Sequence, residues 1–204
     1  MAPITAGERD WWRVRVGRLA PLTARELAAV VPHLAVRRLA AGERYLTAGA
    51  PAAAVGLVRL GLLREAFVLA DGRERTRAFA VPGDFAGSLS DLLRGGPARC
   101  DVIACAASRI VTVPWAVIER AVADHAGWQA ALAATTRELY LLKAEREYEL
   151  LALDAAARYA RFRERLGHVE SRVAQRHVAS YLGITPEHLS RLRRRLGLGR
   201  ARPG

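Results

Sequence analysis

Residues 175–195, QRHVASYLGITPEHLSRLRRR, restrict this chain more than any other segment. They read as a short helix, a glycine turn and a second helix rich in arginine. Val178 and Leu182 fall on one face of the first helix, and Ala179 between them is small enough for a second helix to cross closely. Gly183 stands where the chain must turn, and glycine takes a positive φ without strain. Ile184 plugs the corner. Thr185 suits the N-cap, Pro186 the first helical position and Glu187 the electropositive first turn. Leu189, Leu192 and Leu196 recur at helical spacing and are expected to face a core. Glu187, Ser190, Arg191 and Arg194 recur at i, i+3, i+4 and i+7 on a different face. A plain helical hairpin with a solvated basic face would also carry arginines. It would not require Ala179, Gly183, Ile184, Leu189 and Leu192 together. The pattern therefore predicts a helix-turn-helix, a device that holds one helix out to enter the major groove of DNA.

The charge distribution agrees with that reading. The chain has 204 residues and a formal net charge of +12, and residues 154–204 hold twelve arginines against four acids. Two thirds of the surplus thus lies in the last quarter of the chain, where phosphate neutralisation needs it. Arginine supplies every basic side chain except Lys143, so compositional bias contributes to the total, but bias alone would spread the charge evenly.

Other classes find little support. Cys100 and Cys105 are too few for a disulfide framework and suggest a reducing compartment. No charged leader with an apolar stretch opens the chain, and no run approaches the ~18 apolar residues of a membrane span. A cytoplasmic protein without membrane association is expected. His33, His125, His168, His177 and His188 are scattered, and no His/Cys set has metal-ligand spacing. No catalytic Ser/His/Asp set, carboxylate pair or phosphate-cradling loop is evident, so neither an enzyme nor a cofactor is expected.

Three units are expected along the chain. Residues 1–123 begin with a helix from Thr23 to about Val31, ended by Pro32, with Trp11 and Trp12 packing against the barrel. Short apolar runs from 36 to 113 then alternate with turn signals. Asp71-Gly72 between 62–69 and 75–81 predicts a hairpin, and the whole predicts a β jelly roll. Residues 124–153 form a long helix on which Trp128, Leu132, Thr135, Leu139 and Leu142 step by 4, 3, 4 and 3. That spacing predicts a homodimer seam, with a helix packed on its own barrel as the alternative. Residues 154–204 complete the chain, with Asp154 capping a helix to about Leu166 and a basic tail after Leu196. The fold class is α+β.

The order barrel, long helix, helix-turn-helix resembles the Crp/Fnr family of transcription regulators. The resemblance rests on LAAGERYLTAGAPAAAVGLVRLGLLRE (39–65), the Asp71-Gly72 hairpin, VPGDFAGSL (81–89) and ASYLGITPEHLSRLRRRL (179–196), and spans roughly residues 20–196. It implies a cyclic-nucleotide-binding-like barrel, a homodimer on double-stranded DNA, and RNA polymerase as a partner. It also implies Glu187, Ser190 and Arg191 as base-reading positions on half-sites similar to TTGA or TGTGA, arranged as an inverted pair. The chemistry suits this: Arg pairs with guanine O6 and N7, Glu accepts from cytosine N4, and Ser reaches either base. Arg176, Arg193, Arg194 and Arg195 are expected on phosphates, which position without specifying.

The same resemblance marks Ser88, Arg99, Cys100 and Lys143 as a candidate effector pocket. Cyclic-nucleotide sensors carry a Gly-Glu for the ribose, an Arg-Ser for the phosphate and a Thr-Ser on the long helix. Here Ser88 replaces the Glu, Cys100 replaces the Ser, and Lys143 and Ala144 replace the hydroxyl pair, while Arg99 survives. Losing polar partners that a site was built around costs affinity. The effector is therefore expected to be something other than cAMP, or absent, with Arg99 pairing Asp101 or Asp84; the alternative is a barrel that binds a cyclic nucleotide or other small anion, through Arg99 and the amides around 87–89, to control DNA binding. An iron–sulfur sensor would need an N-terminal cysteine cluster, which is missing.

Overall fold

A computed structural model describes residues 3–198. The N-terminal arm holds two helices, α1 (Ala6–Gly17) and α2 (Ala24–Val30), each opened by a reciprocal capping box. Thr23 and Glu26 form one at the start of the helix expected there. Thr5 and Glu8 form another, from a T-x-x-E signal that was equally present in the sequence.

Six antiparallel strands come next: β1 (Ala35–Leu39), β2 (Arg44–Leu46), β3 (Ala54–Val68), β4 (Glu74–Ala80), β5 (Phe85–Ala86) and β6 (Asp101–Pro114). The sheet order is β1-β6-β3-β4, with β2 added to β6 and β5 to β3. β3 and β6 are long enough to serve both halves of the roll, and their pairing slips between Val58 and Leu63. Gly61 lies in that irregular stretch with φ 105°, and a Cβ there would come within 2.2 Å of Ser108 Oγ, so only glycine fits. The Asp71-Gly72 turn joins β3 to β4 as the hairpin pattern predicts. Leu39, Val58, Leu63, Val102 and Ile110 fill the interior.

The helices after the barrel are α4 (Trp115–Asp124), α5 (Ala126–Ala152), α6 (Ala155–Leu166), α7 (Gln175–Leu182) and α8 (Pro186–Arg195), while α3 (Leu89–Arg94) lies inside the barrel segment. Asp154 caps α6 by accepting from the Ala157 N–H at 2.8 Å. The apolar clusters cross the boundaries expected from sequence. One joins Trp12, Val30, Trp115, Ile118 and Trp128, with the Trp12 and Trp128 rings 6.0 Å apart. Another joins Leu62 and Phe79 of the barrel to Tyr159, Phe162, Tyr181 and Leu189. Phe79 meets Tyr181 at 5.5 Å and Phe162 at 6.3 Å between ring centroids.

The helix-turn-helix therefore rests on the β3–β4 hairpin. β4 ends the sheet path, and an edge strand leaves backbone donors unpaired. Thr76 N–H instead donates to Ser180 Oγ on α7 at 2.9 Å. Beside this contact His177 is pushed down to about 4 by burial, with Arg64 and Arg176 adding repulsion, so it packs as a neutral ring.

Candidate nucleic-acid interface and effector pocket

The turn between α7 and α8 forms as its sequence predicts. Gly183 takes φ 69°, and the Ile184 N–H reaches back to the Ala179 carbonyl at 3.0 Å. Thr185 caps α8 by accepting from the His188 N–H at 3.2 Å, with Pro186 in the first turn. Val178, Ala179, Leu182, Leu189 and Leu192 are buried, and Ile184 packs partly against them. Glu187, Ser190 and Arg191 lie exposed on the outer face of α8. The Glu187 carboxyl is held below the usual range by its own backbone N–H and the Thr185 hydroxyl, so it stays an acceptor.

Two expectations about α8 fail. Arg193 is no phosphate clamp: it is only 11 % exposed and points inward, bridging Glu170 and the Tyr159 hydroxyl. The cause is its angular position, which falls on the flank of the Leu189–Leu192 stripe. Burial is the main cause that raises the Tyr159 phenol to about 12, and its bond to Glu170 adds to this. Leu196 is 52 % exposed and leaves the core, because α8 ends at Arg195 and the chain turns away. Arg176, Arg194 and Arg195 are exposed. Beyond Leu198, the expected basic tail lies outside the described residues.

The predicted dimer seam is largely claimed by the chain itself. Trp128 is 5 % exposed against Trp12, and its indole N–H donates to the Glu26 carbonyl at 2.8 Å. Leu132 and Leu139 pack partly on the same cluster, Thr135 bonds back to the Ala131 carbonyl, and Leu142 reaches the mouth of a cavity beneath the helix. Trp128 is therefore removed from the seam. The opposite side of α5 carries Ala133, Arg137, Tyr140, Ala144, Tyr148 and Leu151, all exposed, at steps of 4, 3, 4, 4 and 3. Sequence reasoning missed this stripe because alanines and an arginine dilute it. Tyr140, Tyr148 and Leu151 were the available signal.

The end of α5 is braced to the helix-turn-helix unit. Glu149, 1 % exposed, accepts from Arg146 at 3.0 Å and from Arg165 of α6 at 2.7 Å. The Arg146 guanidinium lies 3.9 Å from the centroid of the Tyr181 ring.

Ser88 and the backbone N–H of Arg99 converge on Asp91, so these two donors are already used. Ser88 Oγ donates to Asp91 Oδ2 at 2.7 Å, and Arg99 N–H donates to the same oxygen at 2.9 Å. Arg94 completes the set around Asp91, which is 1 % exposed. The Arg99 side chain is two-thirds exposed, 4.0 Å from Asp91 rather than paired with Asp101 or Asp84. Asp101 is held by Arg44 instead. Burial pushes the Cys100 thiol up to about 11, and Arg77 lies 4.0 Å from its sulfur. Cys105 sits on the other side of β6, against the Phe162 cluster. Nearby, Glu65 pairs with Arg77 at 3.3 Å, while burial raises its carboxyl against the pull of Arg77 and Lys143. An internal carboxylate thus stands among the donors that a phosphate would need.

Comparison with known proteins sets this geometry in context. Residues 36–125 match the family model of the cyclic nucleotide-binding domain. Among solved structures, FixK2 from Bradyrhizobium japonicum is 25 % identical with a TM-score of 0.70, covering 80 % of this chain and 84 % of its own. The c-di-GMP-responsive global regulator CLP from Xanthomonas campestris is 18 % identical with a TM-score of 0.67, over 86 % and 92 %. DNR from Pseudomonas aeruginosa is 20 % identical with a TM-score of 0.56, over 97 % and 89 %. The last two show likeness of fold. A sequence comparison with curated proteins gives no significant match.

Proposed function

We propose that this chain is a transcription regulator of the Crp/Fnr type that binds inverted-repeat operator DNA as a homodimer, a reading supported by its cyclic nucleotide-binding domain and its similarity to FixK2. The observation that carries the proposal is the outer face of α8. Glu187, Ser190 and Arg191 stand exposed on a helix whose inner face is locked by Leu189, Leu192 and the Arg193–Glu170 pair. A rigid, outward helix with an acceptor, a hydroxyl and a bidentate donor is equipped to read base edges. Arg176, Arg194 and Arg195 flank it as phosphate contacts.

The reading includes three units, a barrel over 1–123, a dimerisation helix over 124–153 and a DNA-binding unit over 154–204. A two-fold operator needs a two-fold protein. The outward stripe of α5 from Ala133 to Leu151 supplies the contact in place of the predicted seam. RNA polymerase is the expected further partner in the cytoplasm.

The effector in this reading is not a cyclic nucleotide. A cyclic phosphate would meet Asp91 and Glu65, both carboxylates, where its family site needs donors. Losing those interactions while adding like charges costs several kcal/mol by the usual scale.

Selection of bound sequences from a random DNA pool, with and without cAMP, tests the proposal. The expected result is one enriched inverted repeat, unchanged by cAMP. Enrichment of single half-sites, or no enrichment with folded protein, would overturn it. A cAMP-dependent repeat would overturn the effector statement alone.

A further inference from the structure

Asp91 of α3 is a carboxylate only 1 % exposed, and reading DNA makes no use of it. Both of its oxygens are claimed. Oδ2 accepts from the Ser88 hydroxyl at 2.7 Å and from the Arg99 backbone N–H at 2.9 Å. Oδ1 accepts from the Arg94 guanidinium and lies 4.0 Å from Nε of Arg99. Two cations and two neutral donors thus close around one carboxylate, which is the surrounding of a bound oxyanion.

We propose that Asp91 is a built-in anion. Its carboxylate fills an anion site made by Ser88, Arg94 and Arg99, so the chain itself holds the barrel in its occupied state and DNA binding awaits no external anion there. The proposal rests on the regulator reading above and names how that regulator is set.

Three observations carry it. First, the donors come from two segments. Ser88 and Arg94 belong to α3 and its cap, whereas Arg99 lies on the approach to β6, eight residues beyond Asp91. A plain helical ion pair would need only Arg94, at i+3. It would not gather a hydroxyl and a distant backbone N–H on the other oxygen. Ser88 is buried too, so a site emptied of its anion strands a buried donor. Second, the outer side of the site is open. The Arg94 and Arg99 side chains are 40 % and 68 % exposed, so a small anion from solvent gains access once the Asp91 side chain is shortened. Third, α3 bears on the helix that carries the DNA-binding unit. Leu89 and Leu92 pack in the cluster of Trp115, Ile118 and Trp128. Trp128 lies on α5, whose far end is braced to α6 and α7 through Glu149 and Arg146. An anion that pins α3 therefore fixes one support of α5.

Chemical rescue provides the test. Asp91→Ala removes a carboxyl group, and formate has the same three heavy atoms. Full-length protein is melted in formate, acetate, formamide and chloride, with ionic strength matched throughout. Asp91→Ala is expected to melt below the wild type in chloride. Formate should raise its melting temperature saturably by about 3–5 °C, acetate by less, and neutral formamide not at all. The wild type should not distinguish formate from chloride. On operator DNA in chloride, Asp91→Ala should bind roughly tenfold more weakly than the wild type and regain most of that loss in formate. Asp91→Asn keeps the size and leaves no room for formate, so it should be weakened on DNA and stay weakened in formate.

An absence of formate-specific stabilisation in Asp91→Ala, or an equal gain in the wild type, overturns the anion site. Rescued stability with operator affinity unchanged in both variants overturns the regulatory role. Should Asp91→Ala fail to fold in chloride, its refolding yield in formate replaces the melt. Wild-type stability and operator affinity in Asp91→Asn overturn the proposal outright, since the charge is then dispensable. Wild-type operator binding without formate rescue removes this proposal and keeps the regulator reading. Formate rescue in a protein that binds no operator removes the regulator reading and keeps the anion site.

Discussion

Helix α5 carries two apolar faces with opposite fates. Trp128, Leu132 and Leu139 turn inward and join the cluster built on Trp12 and Trp115. Ala133, Tyr140, Ala144, Tyr148 and Leu151 turn outward and stay exposed. Both stripes step at helical spacing. The larger residues belong to the inner one, and that is why it stands out in the sequence. Periodicity defines a stripe but does not say which partner covers it. Here the N-terminal arm decides. Trp12 on α1 and the Glu26 carbonyl on α2 together occupy Trp128 before a second chain could.

The inner face is the one to break first, because its loss costs most. Trp128→Ala is expected to destabilise the fold by about 3–5 kcal/mol, the usual range for a buried Trp or Phe truncation. Denaturant unfolding would measure it, and sedimentation would find the subunit stoichiometry unchanged. If the variant keeps its stability but becomes monomeric, the two faces have been assigned the wrong way round.

The outer face has the converse signature. Ala144→Glu would place two carboxylates near a two-fold axis in the proposed dimer. A loss of about 2 kcal/mol in association, roughly thirtyfold in the dissociation constant, is expected from a disrupted interface centre. Monomer stability should move by less than about 0.5 kcal/mol, since the residue is exposed. Unchanged self-association in this variant would remove the outward stripe from the interface.

The recognition helix repeats the contrast on a smaller scale. Arg191 and Arg193 are two residues apart, yet one is exposed and the other is largely covered and paired with Glu170. Arg191→Ala should cost about 1–3 kcal/mol of operator affinity and relax one base position, with stability unaltered. Arg193→Ala should leave Glu170 short of a partner, so the loss should appear in unfolding as about 1–3 kcal/mol. Its effect on DNA should come only from that loss. Operator titrations alongside melts of both variants separate these outcomes. Equal effects in the two assays would mean that the faces of α8 are not distinct.

Legibility in the sequence divides along the same line. The turn at Gly183, the caps at Thr185 and Asp154, and the Asp71-Gly72 hairpin are local, and each is dictated by a few neighbouring residues with specific backbone needs. The barrel pocket was legible as altered, because Ser88 and Cys100 break a known pattern. That Asp91 would fill it was not legible, since the contact depends on α3 folding its third residue back over Ser88 and Arg99. The docking of Ser180 and Tyr181 on β4 was likewise hidden. It joins residues about a hundred positions apart, and no spacing rule reaches that far. The error at Arg193 has a simpler origin. Three consecutive arginines span about 200° of a helix, so they cannot all face the same phosphates.

Arg194 supplies the finest discrimination. It lies on the exposed face with Glu187, Ser190 and Arg191, and it is an exposed neighbour of the half-buried Arg193. A phosphate contact neutralises one charge and releases its counterion, so Arg194→Ala should flatten the log–log salt dependence of operator binding by about one unit. Affinity should fall by a similar factor on every sequence, because a phosphate carries no base identity. Stability should stay within about 0.5 kcal/mol. The measurement is a salt series on the operator and on an unrelated duplex. A loss confined to the operator would make Arg194 a base reader and extend the reading face by one helical turn. No change in slope would leave Arg176 and Arg195 as the phosphate contacts and narrow the interface to the start of α8.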